Sequence, residues 1–190
     1  LSHTITTTPA TVAVTVIRPG APVAAADLAL STPYETPVEG RLAATGVVSR
    51  LVLASQPAHG RAVLVGDRVT YTPAAAYFGA DSFTFIAEGP GGTSAEATVR
   101  ISVGRPEAPV AAKDLVLTTD YEQPVTGQLS ASGVVTSLRL DSQPENGRAV
   151  LVGDKVTYTP ASEFYGADAF TFVAEGPGGV SAPATVTVKV

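Results

Sequence analysis

Ala21 to Val103 aligns on Ala108 to Val190 at a constant offset of 87 residues without a gap, and about two-thirds of the aligned pairs are identical. A fixed period of this kind marks an array of like structural units. The same offset carries Ala97–Thr98–Val99 back to Ala10–Thr11–Val12 and Arg105–Pro106 back to Arg18–Pro19, so Leu1 to Ile17 reads as the tail of a preceding unit. The expected division is a terminal strand plus linker over 1–19, one repeat over 20–103 and a second over 104–190, cut from a longer array with at least three units. At about 85 residues a unit buries roughly 60–65% of its unfolded surface, enough for a core of its own.

Alternation names the strands inside a unit. Phe83, Phe85 and Ala87 point one way and Thr84, Ile86 and Glu88 the other; Val99, Ile101 and Val103 face inward against outward Thr98, Arg100 and Ser102, as do Val186, Val188 and Val190 in the second copy. Leu51 and Leu53 (Leu138 and Leu140) form the inward pair of a middle strand, because the position between them is Val52 in one copy and Arg139 in the other. Arg61–Val65 and Arg68–Thr72 flank Gly66–Asp67, and Gly153–Asp154 repeats that two-residue connection, which fits a hairpin. With Asp27–Ser31 and Pro37–Leu42 the count reaches about seven short strands per unit and no helical periodicity, so the expected fold is all-β, two tandem antiparallel sandwiches.

Composition removes several function classes. There is no cysteine, hence no disulfide staple and no thiolate metal site. A net charge of −5 with singly scattered lysines and arginines lacks the basic stripe that displaces counterions from phosphates, so no nucleic-acid partner is expected. No apolar run approaches the roughly 18 residues needed to span a bilayer, so no membrane insertion of this segment is expected either. Charged residues are only 15% of the chain, as befits many short strands and tight turns.

Val69-Thr-Tyr-Thr-Pro73, then Phe78-Gly-Ala-Asp-Ser-Phe-Thr-Phe85, then Gly91-Gly-Thr-Ser94 and Ala97-Thr-Val99, matched in the second copy but for Tyr165, Ala169 and Val180, resemble the bacterial Ig-like and cadherin-like tandem repeats of large secreted adhesins and cell-surface proteins. The resemblance runs through each unit and implies an immunoglobulin-like sandwich in an extracellular, cell-surface setting, where such modules space out distal domains or adhere directly. Cadherin-like relatives often carry an acidic cluster in the first half of the unit. Here that stretch reads Ala43-Ala-Thr-Gly-Val-Val48 and Ser130-Ala-Ser-Gly-Val-Val135, without a carboxylate for a hard cation, so no cofactor or metal is expected.

The remaining polar residues favour structural roles. Asp81 and Asp168 follow Gly-Ala before a strand, where a carboxylate accepts backbone N–H bonds. The pairs Glu35/Glu39 and Asp120/Glu122 do not recur between copies, since Glu39 becomes Thr126 and Asp120 replaces Pro33. Singly, Glu35/Glu122 and Glu88/Glu175 do recur, and these are expected at exposed strand ends. His3 and His59 have no histidine counterpart, so a serine–histidine–aspartate site would exist in one copy at most and no enzyme is expected. Gly89-Pro-Gly-Gly92 and Gly176-Pro-Gly-Gly179 join two strands and enter no helix, which makes them turns and not phosphate cradles. Aromatic rings that could stack on a sugar or touch a protein partner are Tyr34 and Tyr121, with Tyr77 and Tyr165 from the pairs Tyr77-Phe78 and Phe164-Tyr165, whose order inverts between copies.

Two prolines in Gly104-Arg-Pro-Glu-Ala-Pro109 limit bending between neighbouring repeats of the chain. In Thr11 to Ile17, Val12, Val14 and Val16 would face a core this sequence does not contain. The expectation there is an ordered strand that pairs with another edge, including homotypic pairing with a second copy. The function expected from the whole is a noncatalytic structural spacer, with direct adhesion or strand-donated filament assembly as the alternatives.

Overall fold

The computed structural model describes residues 12–25 and 27–190. The first repeat holds β1 (Val23–Ala24), β2 (Leu28–Thr32), β3 (Val38–Arg41), β4 (Ala44–Thr45), β5 (Arg50–Leu53), β6 (Gly60–Val65), β7 (Arg68–Pro73), β8 (Gly79–Gly89), β9 (Gly92–Thr93) and β10 (Ala97–Val103). The second holds β11 (Val110–Ala111), β12 (Leu115–Thr118), β13 (Val125–Gln128), β14 (Ala131–Ser132), β15 (Ser137–Leu140), β16 (Gly147–Val152), β17 (Lys155–Pro160), β18 (Ala167–Gly176), β19 (Gly179–Val180) and β20 (Ala184–Lys189). Among the described residues there is no helix, and so none long and apolar enough to cross a membrane.

Each repeat is an immunoglobulin-like sandwich. One sheet runs β2-β10-β8-β5 with β9 beside β8, the facing sheet runs β3-β7-β6, and β1 pairs with β4; the second repeat reproduces this as β12-β20-β18-β15 with β19, β13-β17-β16, and β11-β14. Seven strands per repeat have four or more residues, and these are the seven that alternation identifies; the two-residue pieces are additions. The pairing of β12 departs from the antiparallel expectation: this strand runs parallel to β20, with Leu115 opposite Val186 and Leu117 opposite Val188.

The core sits where the period-two pattern puts it. Val69 and Tyr71 from β7, Phe83, Phe85 and Ala87 from β8, and Val99, Ile101 and Val103 from β10 are buried, and Val156, Tyr158, Phe170, Phe172, Ala174, Val186 and Val188 reproduce the set. Fully burying such a side chain contributes about 1.5–3 kcal/mol, which is how a cysteine-free unit closes on packing alone.

The turn between β8 and β9 requires glycine for contact reasons. Gly89 lies opposite Gly92 in the ladder. A Cβ on Gly91 would overlap the carbonyl oxygen of Gly20, and a Cβ on Gly178 that of Glu107. The segment entering each repeat thus lies directly on that repeat's own turn. There Arg18 Nε donates to Pro90 O at 2.8 Å, and Arg105 Nε to Pro177 O at 2.9 Å.

The strand expected over Thr11 to Ile17 is not found in the described part. Among the described residues Val12 to Ile17 joins no sheet, and Val12, Val14, Val16 and Ile17 are each at least 80% exposed, while Thr11 lies outside the described residues. Valine alternation is a local signal, but a strand needs a partner ladder, and these residues have none among the described residues.

Candidate functional site

The polar centre of each repeat is a buried carboxylate. Asp81 follows the first residues of β8 and is 8% exposed; Asp168 is 7% exposed. Its Oδ1 accepts from the backbone N–H of Ala58 at 3.0 Å and of Ser82 at 2.9 Å; its Oδ2 accepts from the N–H of His59 at 2.9 Å and from the Tyr71 hydroxyl at 2.9 Å. Asp168 repeats the pattern with Glu145 at 3.1 Å and Ala169, Asn146 and the Tyr158 hydroxyl at 2.9 Å each. A carboxylate offers about four acceptor positions, and here all four are taken. The group therefore pins the loop before β6 to β8, with no lone pair left for a cation or a proton shuttle.

The tyrosine partner is shaped by the same site. Burial first, then the hydrogen bond to Asp168 and its charge, push the Tyr158 hydroxyl above the ordinary tyrosine value of 10.0, because an oxyanion there would lose its solvation and face a carboxylate. The main chain of His59 enters the site, which explains how Asn146 can replace it: in either case the N–H donates to the aspartate, and the carbonyl takes the longer branch of the tyrosine O–H bond shared with the carboxylate.

The aromatic candidates lie on two loops. Tyr34 is half-buried in the β2–β3 turn and Tyr77 half-buried between β7 and β8. Glu35, at φ 53°, links these loops by accepting from the Ala76 N–H at 3.0 Å; in the second copy Glu122, at φ 54°, accepts from Glu163 N–H at 3.3 Å. The glutamate retained in both copies is thus a loop tie. Tyr77 donates to the carbonyl of Ala80. Phe78 and Tyr165 are the exposed members of the inverted pairs, at 39% and 79%, while Tyr77 and Phe164 occupy the inner position. Position, and not residue type, decides which ring turns in. Tyr121 is half exposed.

Two features escaped the sequence reading. An open apolar groove runs between β5 and β6, lined by Leu51, Leu53 and Leu64, and recurs between β15 and β16 with Leu138, Leu140 and Leu151. The other is a side chain at its margin. Gln143 Oε1 accepts from Ala149 N–H at 3.0 Å, and Gln56 Oε1 from Ala62 N–H at 3.1 Å. The retained Ser-Gln-Pro triplet was the available signal. Among the described residues no three His, Cys, Asp or Glu side chains converge as metal ligands.

No curated protein matches the chain. Among solved structures it is similar to an endo-fucoidan hydrolase of glycoside hydrolase family 107 (MfFcnA4; 20% identity, 90% of this chain and 29% of that one, TM-score 0.41). It is similar also to the human desmocollin-1 ectodomain (11%, 89% and 41%, TM-score 0.41) and to the titin Ig tandem A164–A165 (11%, 91% and 98%, TM-score 0.35). The chain spans about a third of the length of the fucoidan hydrolases it matches. Residues 19–102 and 106–189 each match the family model for the bacterial Ig domain. With that match falling on the two sandwiches described above, the chain belongs to the bacterial Ig domain family and carries two tandem copies of the domain.

Proposed function

We propose that these repeats are a noncatalytic structural spacer in an extracellular bacterial surface or adhesin-like protein. The observation that supports this best is the use made of the retained acids. In both copies the buried aspartate is saturated by three N–H groups and a tyrosine hydroxyl, and the retained loop glutamate ties one loop to another. What duplication preserved holds the sandwich together. Small-angle scattering with and without excess calcium, across a range of protein concentrations, tests the reading: a constant radius of gyration and mass is expected. A calcium-dependent change would count against a passive spacer.

A second reading, direct adhesion, draws on the exposed rings of Tyr121 and Tyr165 and on the tie between the loops that carry Tyr34 and Tyr77. Retention on a glycan or protein array that is lost in Tyr121→Ala and Tyr165→Ala would favour it. Strand donation through Thr11 to Ile17 would instead show in the scattering as mass growing with concentration.

A further inference from the structure

We infer that Gln56 and Gln143 guard a strand edge through which a second copy of this chain would otherwise extend the three-stranded sheet. β6 and β16 are the end strands of the β3-β7-β6 and β13-β17-β16 sheets, so one side of each is unpaired. Both read Gly-Arg-Ala-Val-Leu-Val, with no proline and no inward charge. Their outward valines are unusually bare for an edge: Val63 44%, Val65 75%, Val150 44% and Val152 74% exposed. An edge with the apolar run Ala-Val-Leu-Val is what strand addition uses, and natural sheets carry devices against it.

The device here is the glutamine. In the ladder Ala149 lies opposite Tyr158, yet its N–H donates to Gln143 Oε1 and so faces the open side; Ala62 donates in the same way to Gln56. Alternation turns the backbone groups of Leu64 and Leu151 toward that same side. An incoming strand needs these groups in sequence, and the glutamine already occupies the Ala62 or Ala149 donor.

The occupant follows from self-complementarity. An antiparallel pairing of β6 with β6 of a second copy, centred on Leu64, sets Leu64 against Leu64 and Val63 against Val65, and brings Arg61 beside Asp67 in the β6–β7 turn of the second copy. Arg61 and Arg148 are exposed and make no ion pair among the described residues, and Asp67 binds Arg41 through Oδ2 only, leaving Oδ1. The same register in the second repeat brings Arg148 beside Asp154. Charges therefore match at both ends of the Val63–Val65 strip. Ala62 N–H would then face the end of the second copy's β6, the donor the glutamine withholds.

Sedimentation velocity over a wide concentration range tests this independently of the spacer reading. The unmodified chain keeps one mass. Gln56→Leu with Gln143→Leu, which retains side-chain bulk but lacks the acceptor, self-associates at least about tenfold more strongly, since a twofold pairing frees one such donor in each copy. Gln56→Glu with Gln143→Glu keeps the acceptor and stays at the unmodified mass. Adding Val63→Lys and Val150→Lys to the leucine pair reverses the association. A leucine pair with native circular dichroism and unchanged mass overturns the proposal, as does association that lysine fails to reverse. Loss of native circular dichroism in the single variants Gln56→Leu and Gln143→Leu as well would place the glutamines in folding alone, and overturns it too.

Discussion

A carboxylate with under a tenth of its surface exposed survives in a sandwich only where its acceptors are met, and Asp168 meets all four from the loop and tyrosine around it. Asp168→Asn keeps the shape but turns one acceptor into a donor aimed at N–H groups, so the second repeat is expected to lose about 2–3 kcal/mol in urea unfolding. Tyr158→Phe removes one donor of four, and the expected loss is smaller, about 1–2 kcal/mol. The tyrosine also sets an alkaline limit. Its folded value is raised above its unfolded one, so its contribution is complete below pH 10 and lost as pH climbs through the folded value. Unfolding free energies above about pH 10 should fall with pH in the unmodified chain, and this slope should weaken in Tyr158→Phe. An equal slope in both would assign the loss to other groups. Backbone strain offers a gain elsewhere. Ala76 holds φ 60° in the β7–β8 loop, a region costing an L-residue about 1–2 kcal/mol, so Ala76→Gly should stabilise the first repeat by about 0.5–1 kcal/mol after the entropy of glycine is deducted.

At the scale of elements, the β8–β9 turn and its counterpart between β18 and β19 show how tightly backbone is stacked. Gly178→Ala would drive a methyl into the carbonyl of Glu107, and since that atom is main chain it cannot swing aside. A loss of about 2 kcal/mol or more is expected, with hydrogen exchange quickening at the entering segment; an unchanged midpoint would mean that segment shifts freely. The same turn marks the reach of sequence reading. Its glycines announced a turn, but only contact with Gly20 and Glu107 explains why the position next to the proline admits no side chain. The seven longer strands were legible because four or more residues of alternation leave a trace; β1, β4 and β9, of two residues each, are too short for any period. The parallel register of β12 on β20 was not legible, since alternation tells which side chains turn inward and not the direction of the neighbour. At the polar centre, Asp81 was readable as an N–H acceptor, whereas its donors were not: Ala58 and His59 act through main chain, and their counterparts Glu145 and Asn146 share no side-chain chemistry with them. Gln56 was overlooked for a related reason, because a neutral amide carries no chemical signature until a strand edge is placed beside it.

At the scale of the whole chain, electrostatics contributes little to stability, and this yields a measurable outcome. The chain carries a net charge of −5, and the ion pairs found, among them Arg50 with Glu88 at 2.6 Å and Arg139 with Glu175 at 2.7 Å, all join side chains at least 32% exposed. Pairs so placed contribute about 0–1 kcal/mol each and weaken with salt, and removing some of the self-repulsion of a net negative chain works in the opposite direction. Thermal unfolding is therefore expected to move by less than about 5 °C between low salt and molar sodium chloride. The divalent comparison is sharper. Calcium and magnesium at equal ionic strength differ in the sites they select, calcium taking six to eight oxygens in flexible cages, but not in how they screen. The loop at 43–48 holds no carboxylate, and the buried aspartates have no acceptor to spare. Calcium and magnesium should then give the same unfolding midpoint. A midpoint raised by calcium alone would mean that acids on separate loops assemble a site on binding, and the passive spacer would have to give way to a calcium-stiffened one.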